Sequence, residues 1–258
     1  MTKLLEGKNI VVMGVANERS IAWGITKSLH NAGANLIFTN RQERSYKKLV
    51  KLLEDNGINA KLIVSCDVAN DESIKEAFTK IKEEIGVIHG VIHSIAFAKR
   101  EELQGDYADT SRDGFLLAQE ISAYSLVAVT KAAKELMTEG GSIVTQTYLG
   151  SERVVPNYNV MGVAKASLEA SVRYLAEDVG KDGIRVNAVS AGPIRTLSAK
   201  GVSGFNDKLH VIEEKAPLRR SVDQDQVGDA TLFFMSDLSR GVTGEVLHVD
   251  SGYHIIGG

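Results

Sequence analysis

Ile10-Val-Val-Met-Gly14-Val-Ala-Asn-Glu-Arg-Ser20-Ile-Ala-Trp-Gly24 begins with an all-apolar run, turns on a glycine and enters a helical pattern that reaches His30 and stops at Ala32-Gly33. A run apolar at every residue, not at every second one, suits a parallel strand covered by helices on both faces. The rhythm recurs along the chain. Short β-branched runs lie at residues 35–39, 61–65, 90–94, 142–145, 184–189 and 246–249, with longer helical patterns between them. One of these helices, residues 71–85, opens after Asn70 and closes at Gly86. Right-handed crossovers wind such a series into one open parallel sheet with helices on both faces. The expectation is an α/β, doubly wound sheet of about seven strands in a single domain over residues 1–258.

Composition narrows the function. With 43% apolar and 24% charged residues the chain is neither disordered, fibrous nor membrane-spanning in character. A net charge of −3, from 30 basic and 33 acidic residues, provides no basic field for nucleic acid, so none is expected as a partner. The first nine residues lack the apolar core of a secretory signal, and no apolar run is long enough for a bilayer. Neither secretion nor membrane insertion is expected, and the expected location is the cytoplasm. Cys66 is the only cysteine and reads as a small apolar filler at a strand end. The six histidines show no close-spaced ligand set, so no metal is expected.

In doubly wound (Rossmann-type) sheets ligands bind outside the carboxyl ends of the strands, so the residues following each run carry the functional signal. After the first, Gly14 permits a sharp turn, and the free N–H groups of a helix beginning near Ser20 can hold a pyrophosphate. Of a G-x-G-x-x-G pattern Gly14 and Gly24 remain, but Asn17 and Ser20 stand where other glycines would be expected, so this loop alone reads equally as an ordinary strand-to-helix turn. After the second run, Arg41 and Arg44 can take the 2′-phosphate of an adenosine ribose, although Glu43 opposes it and both arginines also fit a solvated helix start. NADPH is favoured and NADH possible. Asp67 suits either the adenine amino group or a strand-end cap.

Tyr158 and Lys165 are seven residues apart at the start of a helical segment reaching about residue 180, nearly two turns, and so share one stripe. An ammonium beside a phenol stabilises the phenolate and improves the hydroxyl as a donor to a developing oxyanion. The spacing alone equally fits an interfacial aromatic and a solvated charge.

Longer stretches bear on this choice. Arg19-Ser-Ile-Ala-Trp-Gly24, Ser94-Ile-Ala-Phe-Ala98, Arg112-Asp-Gly-Phe-Leu-Leu-Ala-Gln119, Thr147-Tyr-Leu-Gly150, Asn157-Tyr-Asn-Val-Met-Gly-Val-Ala-Lys165 and Ser190-Ala-Gly-Pro-Ile-Arg-Thr-Leu-Ser-Ala-Lys200 resemble the short-chain dehydrogenase/reductases. More narrowly, they resemble the bacterial enoyl-acyl-carrier-protein reductases of type II fatty-acid synthesis, over nearly the whole chain. The ordinary short-chain pattern would put tyrosine at position 161 and serine at 148. Here those positions hold Met161 and Tyr148, and the tyrosine lies one turn upstream. That displacement suits a donor aimed at a thioester carbonyl, and it argues against the nearest alternative, a carbonyl or alcohol reductase. A dinucleotide sensor without turnover would have no use for the intact Tyr158/Lys165 pair.

The resemblance implies NAD(P)H-dependent reduction of the trans-2 double bond of an enoyl thioester in fatty-acid biosynthesis. It implies catalytic Tyr148, Tyr158 and Lys165, with Lys165 also fixing the cofactor ribose. Further cofactor contacts implied are Ile21, Ser45, Val68, Ile95, Ile194, Thr196, Leu197 and Ser198, beside Gly14, Ser20, Arg41, Arg44 and Asp67. Substrate contacts implied are Ala98, Met161, Ala199 and Phe205, together with the two tyrosines, under a substrate-binding loop at about residues 196–208. The implied partner is acyl carrier protein carrying the enoyl substrate, and the implied assembly a homotetramer. This loop departs from relatives with a basic cluster: Ser203, Asn206 and Asp207 leave only Lys200 and Lys208, so the carrier docking surface stays open, with Arg219-Arg220 an alternative patch.

Overall fold

The computed structural model describes residues 3–196 and 205–257, except the side chains of residues 205–208. In chain order the elements are β1 (Asn9–Met13), α1 (Ile21–Asn31), β2 (Asn35–Asn40), α2 (Glu43–Asp55), β3 (Ala60–Ser65), α3 (Asp71–Glu84), β4 (Gly90–His93), α4 (Arg112–Gln119) and α5 (Ser125–Lys134). They continue with β5 (Gly141–Thr147), α6 (Asn159–Gly180), β6 (Ile184–Ala191), α7 (Phe205–Lys215), α8 (Gln224–Met235) and β7 (Val246–Val249).

All seven strands are parallel, in the order β3-β2-β1-β4-β5-β6-β7. The chain moves outward from β1 to β3, then crosses to β4 on the other side of β1, which makes the β1/β4 boundary the point where strand order reverses. The seven expected runs are these seven strands, with shifts only at their ends. β5 and β6 each run two residues further than their apolar stretches, because the ladder pairs Gln146 with Val189 and Thr147 with Ser190 through backbone groups. Backbone pairing does not require an apolar side chain.

Each face of the sheet is a separate apolar layer. On one face Val11, Met13, Val91 and Ile143 meet α3, α5 and α6 through Phe78, Val129, Leu168 and Val172. On the other Val12, Phe38, Ile92 and Val189 meet α1, α2 and α8 through Trp23, Leu49 and Phe234. Cys66 lies in the first layer, where burial and then the neighbouring Asp67 push its thiol up to about 11, so it stays protonated as an inert filler. Among the described residues no helix is long and apolar enough to cross a membrane.

Two glycines set the close approaches at the front of the sheet. Gly24 does not serve a phosphate fingerprint: a Cβ there would fall 2.2 Å from the Gln224 carbonyl oxygen, so it permits the crossing of α1 and α8. Gly14 has φ +98°, and an added Cβ would lie 2.0 Å from the Ser94 carbonyl oxygen, across the β1/β4 boundary. Gly14→Ala is therefore expected to cost at least about 2 kcal/mol, lowering Tm by roughly 4 °C or more. Thermal unfolding of the variant measures this, and an unchanged Tm would refute the steric assignment.

Candidate active site

The expected cofactor residues follow the carboxyl ends of successive strands along one edge of the sheet. At α1, Ser20 is the N-cap but its hydroxyl donates to the Asn17 carbonyl (2.7 Å); no side chain caps the helix, and its first turn holds no acid. The end that begins at Ile21 thus keeps N–H groups and a positive dipole for an anion. By contrast α2, α3 and α8 are capped by Gln42, Asn70 and Asp223. The uncapped turn beside Gly14 fits a pyrophosphate.

After β2 and β3, Arg41 and Asp67 form an ion pair, Nε to Oδ2 at 2.9 Å. Arg44 is exposed, and Ser45 spends its hydroxyl in the α2 cap with Gln42. Val68 and Ile95 belong to the apolar layer beneath this edge. Ile194 packs on the opposite layer, and Thr196 N–H donates to the Ile194 carbonyl (2.7 Å). Leu197, Ser198 and Ala199, with most of the expected substrate loop, lie outside the described residues, as does the side chain of Phe205.

Ala98, Tyr158 and Met161 come together in a third apolar cluster with Phe115, Leu103, Val160 and Ala164. Met161, where an ordinary short-chain enzyme would have its tyrosine, is 6% exposed and packs as an apolar wall. Tyr158 lies just before α6, between Asn157 (φ 60°) and Asn159 (φ 32°), two left-handed residues that asparagine tolerates better than most. Its ring lies over Gly150, where a Cβ would fall 2.5 Å from Tyr158 Cδ1. Tyr148 meets it edge-on, with centroids 5.0 Å apart at 73°.

Lys165 is 5% exposed, and its Nζ donates to the Gln146 carbonyl at 2.7 Å. Burial lowers its pKa to about 8, with Glu169 opposing the fall. An ammonium has three donors, and one is used among the described residues, leaving two for a ligand. Tyr158 departs from expectation. Its phenol is pushed up, by burial first and then by Tyr148 and Glu169, and Lys165 does not draw it down. The site holds a neutral donor instead of a poised phenolate, and no described residue hydrogen-bonds its oxygen. Tyr148 is likewise raised, to about 12, by burial, Tyr253 and Asp250.

Several structural partners were not singled out from sequence. A π-helical turn, Glu120–Tyr124, presents Ser122, whose hydroxyl accepts from Phe97 N–H (2.9 Å) and donates to the Phe97 carbonyl (3.1 Å), clamping the loop that carries Ile95 and Ala98. His93 is fully buried between Thr145 Oγ1 (3.0 Å) and Ser125 Oγ (2.8 Å). Glu169, 7% exposed, accepts from Thr147 Oγ1 at 2.6 Å. An acid four residues after a lysine is visible in sequence, but the same spacing marks an exposed pair, and only burial separates the two.

Residues 14–254 match the profile of the family described as enoyl-(acyl carrier protein) reductase. The chain is 65% identical over 258 residues to a Bacillus cereus enoyl-[acyl-carrier-protein] reductase [NADH], covering 99% of this chain and 100% of that one. It is 60% identical over 252 residues to a Staphylococcus aureus enoyl-[acyl-carrier-protein] reductase [NADPH], covering 98% of both. The crystal structure of the B. cereus reductase with NADP+ and indole naphthyridinone matches at a TM-score of 0.97, over 99% of each chain. A reductase from Anaplasma phagocytophilum in complex with NAD, 47% identical, matches at 0.94 over 100% of this chain and 96% of that one.

Burial, with Lys165 nearby, holds His93 down to about 3 against an ordinary 6.5, so between these values the unfolded chain binds one proton more. Stability is therefore expected to fall as pH drops below the ordinary value, by about 2 kcal/mol between pH 7 and pH 5 from this residue. Urea unfolding at both pH values should show that loss, and His93→Gln should remove it. An equal slope in the variant would refute the assignment.

Proposed function

The chain belongs to the enoyl-(acyl carrier protein) reductase family, and on that premise we propose which of its residues carry the chemistry. It reduces the double bond of an enoyl group on acyl carrier protein, with NAD(P)H, in fatty-acid synthesis. We assign the oxyanion donor to Tyr158. The observation that carries this assignment is a half-buried, neutral phenol packed on the Ala98/Met161 cluster with no described hydrogen-bond partner.

When bound, the nicotinamide supplies a hydride to the β-carbon of the enoyl group. The double-bond electrons would then move toward the thioester oxygen, and a proton taken up from solvent water at the α-carbon would complete the saturated acyl product. Tyr158 donates its O–H to that oxygen as charge develops there, which a phenolate could not do. Tyr148, stacked edge-on, fixes the ring and closes one side of the site. Lys165, anchored by the Gln146 carbonyl, turns its remaining donors to the ribose hydroxyls. The α1 end at Gly14, Ser20 and Ile21 takes the pyrophosphate, and Asp67 the adenine side. Ile95, Ile194 and Thr196 flank the nicotinamide half. Met161 fills the position from which an ordinary short-chain tyrosine would protonate an alkoxide, so a simple ketone finds no donor there.

For the cofactor's second phosphate we propose Arg41, oriented by Asp67, with exposed Arg44 beside it. The ion pair offsets part of the arginine charge, and the relatives named above divide between NADH and NADPH. The reading is thus a modest preference for NADPH with NADH accepted. We further read the chain as one dinucleotide-binding domain working as a cytoplasmic homotetramer. The edge strand β7, partly exposed at all four residues, is available for subunit contact.

Oxidation of NAD(P)H is expected with crotonyl thioesters and not with simple ketones; ketone turnover alone would point to a carbonyl reductase. Tyr158→Phe should lower kcat at least about tenfold while leaving the cofactor Kd within about twofold. Full turnover in that variant would overturn its role. Arg41→Ala should lower the NADPH/NADH ratio of kcat/KM by about tenfold, the worth of one charge-assisted contact. An unchanged ratio would remove Arg41 from phosphate recognition.

A further inference from the structure

Glu169 is a carboxylate 7% exposed whose one hydrogen bond among the described residues comes from Thr147 Oγ1 at 2.6 Å. No described cation lies within ion-pair distance of it. Burying a charge in this way is costly, and a glutamine would accept the same hydrogen bond without it. The hydrogen bond therefore does not account for the charge.

Glu169 lies one turn beyond Lys165 on α6, and Thr147 directly follows Gln146, whose carbonyl holds the lysine. Helix and strand are thus tied twice at the same level, by Lys165 to Gln146 and by Thr147 to Glu169. Thr147 also leads into Tyr148, so the same tie sets the ring that meets Tyr158. We propose that Glu169 is a positioning residue, which anchors the end of β5 through Thr147 and supplies the counter-charge that keeps Lys165 an ammonium on the Gln146 carbonyl. This rests on the reading that Lys165 holds the cofactor.

The surroundings support the electrostatic half. His93, whose imidazole feels the lysine, is held neutral, and the phenols of Tyr158 and Tyr148 stay protonated, so none of the three supplies a negative charge at working pH. Glu169 is the group that opposes the effect of burial on Lys165. Glu169 also lines an open cavity of about 470 Å³ together with Glu152, Arg173, Glu245 and His248. Those groups border solvent, where screening weakens their effect on the lysine.

The test is the pH dependence of NADPH binding, followed by cofactor fluorescence, and of kcat/KM with crotonyl thioester. The parent should lose affinity on the alkaline side as Lys165 deprotonates near its lowered value of about 8. Removing a nearby carboxylate charge lowers a lysine pKa further, so in Glu169→Gln that limb should move at least about one pH unit toward acid. Thr147→Val, which keeps the charge, should leave the limb in place while lowering kcat, and Glu169→Asp should hold it near the parent position if the glutamine variant fails to fold. Purely structural roles would lower activity in all three without moving the limb. An unmoved limb in folded Glu169→Gln, or a limb displaced in Glu169→Asp as far as one unit, overturns the inference alone. Lys165→Gln separates the premise: if it keeps the parent's alkaline limb, the limb does not belong to the lysine, and the premise fails together with the inference.

Discussion

Every strand in this sheet is parallel to its neighbours, and the five inner strands are covered on both faces, so a side chain leaving the middle of one of them enters one of two apolar layers. A polar group placed there must find its partner inside protein. His93 does so between Thr145 and Ser125, and it stays neutral in consequence. Groups that must meet a ligand are confined to the carboxyl edge, where the strands end and their loops leave the layers. Most of the described cofactor residues follow strand ends on that edge, from Gly14 after β1 to Ile194 after β6, while Tyr158 and Lys165 come from the start of α6.

Within that edge, the position of one tyrosine separates this chain from the ordinary short-chain pattern. Moving the phenol from position 161 to position 158 requires a ring just ahead of α6, where the chain is still turning. Asn157 and Asn159 take up the left-handed backbone this demands, and Gly150 removes the side chain that would collide with the ring. Met161 fills the vacated place and helps enclose the phenol. The enclosure then decides the acid–base state: burial beside Tyr148 and Glu169 outweighs any pull from Lys165, and the group remains a neutral donor. A hydrogen bond to a developing enolate needs that form.

Charge at the site is handled sparingly. The lysine is buried with its ammonium on a backbone carbonyl, and the acid one turn away is buried with it but held by a threonine. After β2 and β3 the charges are paired and largely exposed, Arg41 with Asp67, so the pair itself contributes little to stability and remains open to a ligand. On the proposed assignment, rigid, desolvated groups would meet the reacting atoms, and adaptable, solvated ones the part of the cofactor that does not react.

Patterns that depend on local chain geometry were legible in the sequence. The seven apolar runs, the long helix after Tyr158 and the glycine turn at Gly14 follow from helix and strand periods and from glycine's freedom at positive φ. The pairing of Gln146 and Thr147 into β5, the use of Gly24 at a helix crossing instead of a phosphate turn, the Arg41–Asp67 pair and the burial of Glu169 did not follow. Each joins residues between 26 and some 200 positions apart, or depends on which side of a helix faces the core. A glutamate four residues after a lysine reads the same in solvent as in a core. The periods of the chain determined which residues lie on the carboxyl edge, while the packing of α6 against β5 decided which of them are charged, because desolvation depends on neighbours that sequence distance does not reveal.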